Sequence, residues 1–346
     1  MKPTIQLLAL AAAASGMAFG AAVTAYTTPV GYVTETLTPG MYNLAGLTLQ
    51  QPAVAAGVFT DKATTTLTVG SIDFTTATGT PPKPLLDPLK TYILELPDGT
   101  VQELAPASWG QHTLTTPENI SDLITVDQPT ATPPVVGTKF VLRPAATVTD
   151  IFGAQNTAGL KSSPDGDYTK SDLILVPTGG ILLGIYFYDD GAGGTGWYTD
   201  QQGPGGDIVI SYPDGFYVQR APGASDIKLT ITGEVKKAPT GTILTAGYNY
   251  LGGVAPAGLT LATSGISNYI SRSPDGNPAL VDNVMLAKTG GYTTCYYFDD
   301  GAGYTGWYTD EQAPADDLPI TSGLLILNKG SAKPLKISVP SFYPSL

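Results

Sequence analysis

FYDDGAGGTGWYTD, residues 187–200, returns as YFDDGAGYTGWYTD, residues 297–310, with eleven of the 14 positions identical. The same offset of 110 residues relates Ser163-Pro-Asp-Gly166 to Ser273-Pro-Asp-Gly276, Asp172 to Asp282, Gly180 to Gly290 and Asp207 to Asp317. A constant offset over markers so far apart signals a duplicated structural unit. Within each copy, the aromatic runs Tyr186 to Tyr188 and Tyr296 to Phe298 suit a pleated, half-buried surface. The apolar runs Asp172 to Val176 and Asn283 to Ala287, bounded by turn residues, read as buried strands.

A second match lies further upstream: Tyr42-Asn-Leu-Ala-Gly46 resembles Tyr248-Asn-Tyr-Leu-Gly252, and Val30-Gly-Tyr-Val33 resembles Thr232-Gly-Glu-Val235, with an offset near 204. Two offsets in one duplication imply that about a hundred residues interrupt the first copy. The expected layout is therefore a first β unit from residues 21–50 plus 145–228, an inserted small β-domain over 51–144, and an uninterrupted second unit over 229–346. Inside the insertion, Tyr92 to Leu96 and Thr100 to Leu104 flank Asp98-Gly99, a dipeptide suited to a tight hairpin turn. Thr116-Pro-Glu-Asn119 predicts a short helix or turn capped by Thr116, with Pro117 in the first helical position. The Pro-rich pieces Thr80 to Pro88 and Pro129 to Pro134 read as loops.

Composition agrees with many short strands joined by tight turns: 41 Gly, 29 Pro and only 13% charged residues. Lys2, the apolar stretch Leu7 to Ala14 and the small residues around Ala18 and Gly20 follow the layout of a cleavable export signal over residues 1–20. That stretch is shorter than the roughly 20 apolar residues that cross a bilayer. The expectation is a secreted protein, extracellular or at the outer cell surface, with no transmembrane span. A formal net charge of −12 repels phosphate backbones, so nucleic acid is not an expected partner.

The chemistry available is narrow. Cys295 is the single cysteine and His112 the single histidine, which excludes an internal disulfide, a His-based triad and a multi-His zinc site. Cys295 reads as a packed thiol in a strand. The repeated Asp-Asp-Gly-Ala-Gly loop offers Asp189, Asp190, Asp299 and Asp300 as oxygen ligands for calcium; the other reading is a hairpin turn whose aspartates bond to their own backbone. Gly196-Trp197-Tyr198 and Gly306-Trp307-Tyr308 offer platforms for a sugar face if the rings are exposed, and core anchors if they are not. Glycoside hydrolysis would need two carboxyl groups held across one cleft, whereas these acids repeat in both copies, so a non-enzymatic role is expected.

The segments 150–160 (DIFGAQNTAGL), Ser171-Asp172, the aromatic run before Gly196-Trp197, 215–220 (GFYVQR) and 232–235 (TGEV) together resemble a family of secreted paralogous proteins of verrucomicrobial bacteria. The resemblance implies export and this domain layout, and brings no activity with it. The second copy departs from the pattern, with Leu324 to Lys329 where the first has the segment ending in Arg220.

The sequence thus points to an all-β protein of tandem duplicated β-sandwich-like units with a small inserted β-domain. The first functional expectation is a structural or adhesive protein that associates with itself through strand edges, with Val23 to Leu37 as a candidate donor strand. The second is a carbohydrate-binding module using Trp197, Tyr198, Trp307 and Tyr308 on surface glycans, with calcium as a possible cofactor.

Overall fold

A computed structural model describes residues 29–79, 83–288 and 291–345. The expected signal segment, Val23 to Thr28 of the candidate donor strand, and the marker Gly290 lie outside these residues. Strands make up 42% of the described residues and the α-helix Val148–Phe152 (α1) has five residues, so the protein is all-β. None of the described helices is long and apolar enough to cross a membrane.

The chain opens with β1 (Val30–Leu37) and β2 (Tyr42–Gly46), then enters the insertion: β3 (Ala55–Val58), β4 (Asp61–Ala63), β5 (Thr66–Thr68), β6 (Tyr92–Glu95), β7 (Val101–Leu104), β8 (Thr113–Thr115) and β9 (Lys139–Pro144). It resumes the first unit with β10 (Ala146–Thr147), α1, β11 (Leu173–Thr178), β12 (Ile181–Asp189), β13 (Thr195–Thr199), β14 (Val209–Ile210), β15 (Gly215–Gln219) and β16 (Ile227–Glu234). The second unit runs through β17 (Thr240–Leu244), β18 (Gly247–Leu251), β19 (Asn283–Lys288), β20 (Gly291–Asp299), β21 (Thr305–Thr309), β22 (Leu324–Asn328) and β23 (Lys333–Ile337).

The two units share one topology. The first has the five-stranded sheet β13-β12-β11-β15-β2 and the ribbon β1-β16; the second has β21-β20-β19-β22-β18 and the ribbon β17-β23. In each, sheet and ribbon enclose an apolar core, one around Ile174, Ile185 and Phe216, the other around Val284, Cys295 and Ile326. Three sequence expectations change here. Segments 30–33 and 232–235 are not equivalent positions of two copies: β1 and β16 pair with each other, Gly31 opposite Gly233. That pairing puts β16 in the first unit, so the second starts after Glu234, not at residue 229. It also commits residues 30–37 to an internal partner, which removes them as a free donor strand.

The insertion forms its own core from Phe59, Phe74, Leu94 and Phe140 between the sheets β3-β9-β6-β7 and β4-β5-β8. The hairpin at Asp98-Gly99 forms, with Gly99 at φ +99° and the Asp98 carboxylate accepting from Thr100 N–H at 2.9 Å. Thr116 does not cap a helix. Its hydroxyl donates to Glu118 C=O, and a 3-10 turn starts later, at Ser121–Leu123. A buried ion network fixes the insertion to both units. Glu95 of β6 lies 3.3 Å from Arg143 of β9 and 3.0 Å from Lys236, just beyond β16, while Arg143 also pairs with Glu234. Two acids facing two bases leave no net charge, the condition for burying such a cluster; the two cations hold the Glu95 carboxyl below its ordinary value despite its desolvation.

The five-stranded sheets also meet each other. Leu44, Leu175, Leu182 and Tyr217 of the first unit pack on Tyr250, Met285, Tyr292 and Leu325 of the second. The sheet registers make these four matched pairs: Leu44 with Tyr250, Leu175 with Met285, Leu182 with Tyr292, and Tyr217 with Leu325. The same patch thus serves on both sides, as in an isologous dimer contact. Tyr292 donates to the Tyr217 hydroxyl at 2.9 Å, and Tyr217 and Tyr250 stack edge to face at 5.5 Å.

Candidate functional site

The repeated hairpins carry the residues singled out by the sequence. Side chains alternate across a strand, so within Gly196-Trp197-Tyr198 only one large ring faces the core, and it is tryptophan. Trp197 is 5% exposed and Trp307 is 1% exposed. Trp197 meets Phe187 edge to face at 5.0 Å and donates its indole N–H to Gly153 C=O, at the end of α1. Trp307 meets Tyr297 in the same way at 5.4 Å. Neither ring can stack on a sugar, so of the two readings offered for Trp197 and Trp307 their burial fits the core anchor and not the exposed platform.

The neighbouring tyrosines face outward. Tyr198 is 37% exposed and lies over the buried Tyr186, rings 6.3 Å apart and tilted by 34°; Tyr308 covers Tyr296 with the same distance and tilt. Each also meets an aromatic neighbour edge to face at 6.0 Å, Tyr188 in the first unit and Phe298 in the second. In the second copy Tyr304 replaces Gly194 and shares a 2.8 Å hydrogen bond with the Tyr308 hydroxyl, which pushes that phenol up to about 12.

Beside these rings, the Asp-Gly loops use their carboxylates on themselves. Asp189 Oδ1 accepts from Gly191 N–H at 2.9 Å, and Asp190 Oδ1 from Ala192 at 2.8 Å and Gly194 at 2.9 Å. Asp299 and Asp300 repeat the pattern on Gly301, Ala302 and Tyr304. The N–H groups of Ala192 and Gly194 hold Asp190 below the usual carboxylate range. Asp299 is held down by Gly301 N–H and by Arg272, 2.7 Å away. Among the described residues, no three His, Cys, Asp or Glu side chains converge as a metal group.

No family model, curated protein or solved structure matches this chain.

Its internal comparison is more instructive, because the two units differ at one buried charge. Asp172 accepts from Lys161 N–H and Ala221 N–H, both at 2.7 Å, and Arg220 approaches it at 2.8 Å while also donating to Leu37 C=O. In the second unit Asp282 accepts from Ser271 N–H at 2.7 Å and Lys329 N–H at 2.8 Å. Asn328 stands where Arg220 does and donates to the Leu244 and Thr245 carbonyls. The charge comes from Lys333, on the ribbon strand β23. Arg220 therefore does a structural task, divided in the second copy between Asn328 and Lys333.

The remaining reactive groups are occupied or sheltered. His112 Nδ1 lies 2.7 Å from Ile72 C=O. Cys295 is fully buried in the second core, and burial pushes its thiol up to about 12. A thiol so raised is a poor nucleophile.

Proposed function

We propose that this chain is an exported, non-enzymatic structural or adhesive protein that works at the cell surface or outside the cell through contacts of its sheet surfaces with further copies of itself. One observation carries the reading: the module recognises its own duplicate through matched residues on one sheet face. A module able to pair with its twin within a chain has the surface chemistry for pairing between chains. The sheet edges supply the second element. β2 and β18 end their sheets; Leu251 of β18 bridges to Asp214 and Ser322 donates to Leu44 C=O of β2, so the open part of each edge is its start, where Tyr42 and Tyr248 stand at equivalent positions, 58% and 57% exposed. A strand edge left open is a route to strand addition.

Sedimentation velocity and electron microscopy of the processed chain test this. Concentration-dependent oligomers or filaments, lost in Tyr42→Lys/Tyr248→Lys, are expected; a monomer at all concentrations overturns the proposal.

A glycan-binding reading is favoured by the repeated outward geometry of Tyr198 and Tyr308 beside acidic loops, with these tyrosines in place of the tryptophans. Glycan-array binding abolished by Tyr198→Ala/Tyr308→Ala supports it, and an array with no signal removes it.

A further inference from the structure

A cleft of about 610 Å³ opens where the insertion faces the second unit. Its floor is the outer side of the β17-β23 ribbon with Ile243, 59% exposed, Pro334 and Lys336; Tyr269 also lines it. One wall is β7, the outermost strand of its sheet. The other is the turn around Glu118. A single backbone hydrogen bond, Gly241 N–H to Gly99 C=O at 2.8 Å, ties the start of β7 to β17.

Three features of this cleft call for an occupant. The first is the strand edge. Leu96 N–H donates to Thr100 C=O, so alternation turns Thr100, Gln102 and Leu104 toward β6 and leaves Val101 and Glu103 facing away from it. Among the described residues, no further strand pairs with β7 on that side in its sheet. The second is Gln102, which lines the cleft, is 9% exposed and has a buried Oε1 without any hydrogen-bond partner. A buried acceptor left unpaired is costly. The third is charge. Glu103 and Glu118 line the cleft and Asp214 adjoins its Pro213 wall, against Lys336 as the cation in the lining. Burial raises the Glu103 carboxyl against the lowering effect of its hydrogen bond with Ser211, and burial together with the charge of Glu103 lifts Asp214 to about 6.

We infer that this cleft takes an extended peptide carrying basic side chains, which adds as a strand to the β7 edge. Backbone groups of Val101 and Glu103 supply the register, Ile243 and Tyr269 take an apolar side chain, and the acids take a lysine or arginine. This is strand addition with side-chain pockets at alternate positions.

The test uses the whole processed chain and a fluorescein-labelled hexapeptide of alternating valine and lysine, read by fluorescence anisotropy, with a valine–glutamate hexapeptide as the control. Saturable binding of the lysine peptide alone, weakened by added salt, is expected. Val101→Pro, which removes an outward N–H from an edge strand, and Glu103→Lys should each weaken it at least tenfold. Asp61→Lys on β4 should not. Because Val101→Pro can disturb the hairpin, Glu103→Lys with unchanged circular dichroism is the deciding variant. Equal binding of both peptides, no binding of either, or binding insensitive to Glu103→Lys overturns the proposal.

Discussion

Gly46 and Gly252 meet across the boundary between the two units, and neither leaves room for a side chain: a Cβ on Gly46 would stand 2.7 Å from Gly252 Cα, and one on Gly252 would stand 3.2 Å from Gly46 Cα. They occupy equivalent places at the ends of β2 and β18. The contact is reciprocal in a second pair as well. A Cβ on Gly215 would strike Leu251 C=O at 2.8 Å, and one on Gly323 would strike Ala45 C=O at 2.7 Å. Such reciprocity is the mark of two copies related by an approximate two-fold axis, and it accounts for glycine at all four positions.

Alanine at Gly46 or Gly252 should therefore destabilise the fold by about 1–3 kcal/mol, the range for overfilling a packed contact. Urea denaturation checks it. Gly31, whose Cβ would meet nothing within 4 Å, is the control and should change far less.

Breaking either buried Asp–cation pair leaves an uncompensated carboxylate. Arg220→Met should cost about 3–5 kcal/mol, since both partners are fully buried. Lys333→Met should cost less, because Lys333 is 25% exposed and backbone N–H groups still hold Asp282. Thermal unfolding of both variants gives the order; equal losses would contradict it.

At the three-way junction, Glu95→Gln would leave Arg143 and Lys236 with only Glu234 to balance them. A loss of about 3 kcal/mol or more is expected. Tyr212, whose ring lies 4.7 Å from Lys236 Nζ, should report the disturbance through its environment. Stability equal to that of the parent chain would show that the network does not anchor the insertion.

Glu35 on β1 accepts a 2.9 Å hydrogen bond from Ser322 of the second unit, and desolvation lifts its carboxyl to about 7 from an ordinary value of 4.5. A raised carboxyl binds its proton more tightly folded than unfolded, so stability falls as pH rises from 4.5 through 7. The loss is about 2–3 kcal/mol after allowing for partial exposure to solvent. Glu35→Gln should match the parent chain near pH 5 and exceed it at pH 8. Parallel pH profiles for the two chains would refute this.

The duplication was legible because the 110-residue offset is carried by turn residues, Gly and Asp, whose backbone roles tolerate little change. The direction of Trp197 was not. Tyr186, Phe187 and Tyr188 are all aromatic, so no polar neighbour marks which side of the strand meets the core. Residues 30–33 and 232–235 look alike but are paired neighbours, Gly31 opposite Gly233, and sequence comparison cannot tell that from duplication. The exchange of Arg220 for Lys333 was hidden because the compensating charge moved to a different strand. The peptide cleft was hidden too, since it joins segments more than a hundred residues apart.

Two copies of one module packed through equivalent faces should respond together to Gly252→Ala, which hydrogen–deuterium exchange reads. Exchange is expected to rise not only in residues 247–251 but also in residues 42–46 and 215–219 of the other unit. A rise confined to the second unit would contradict that packing.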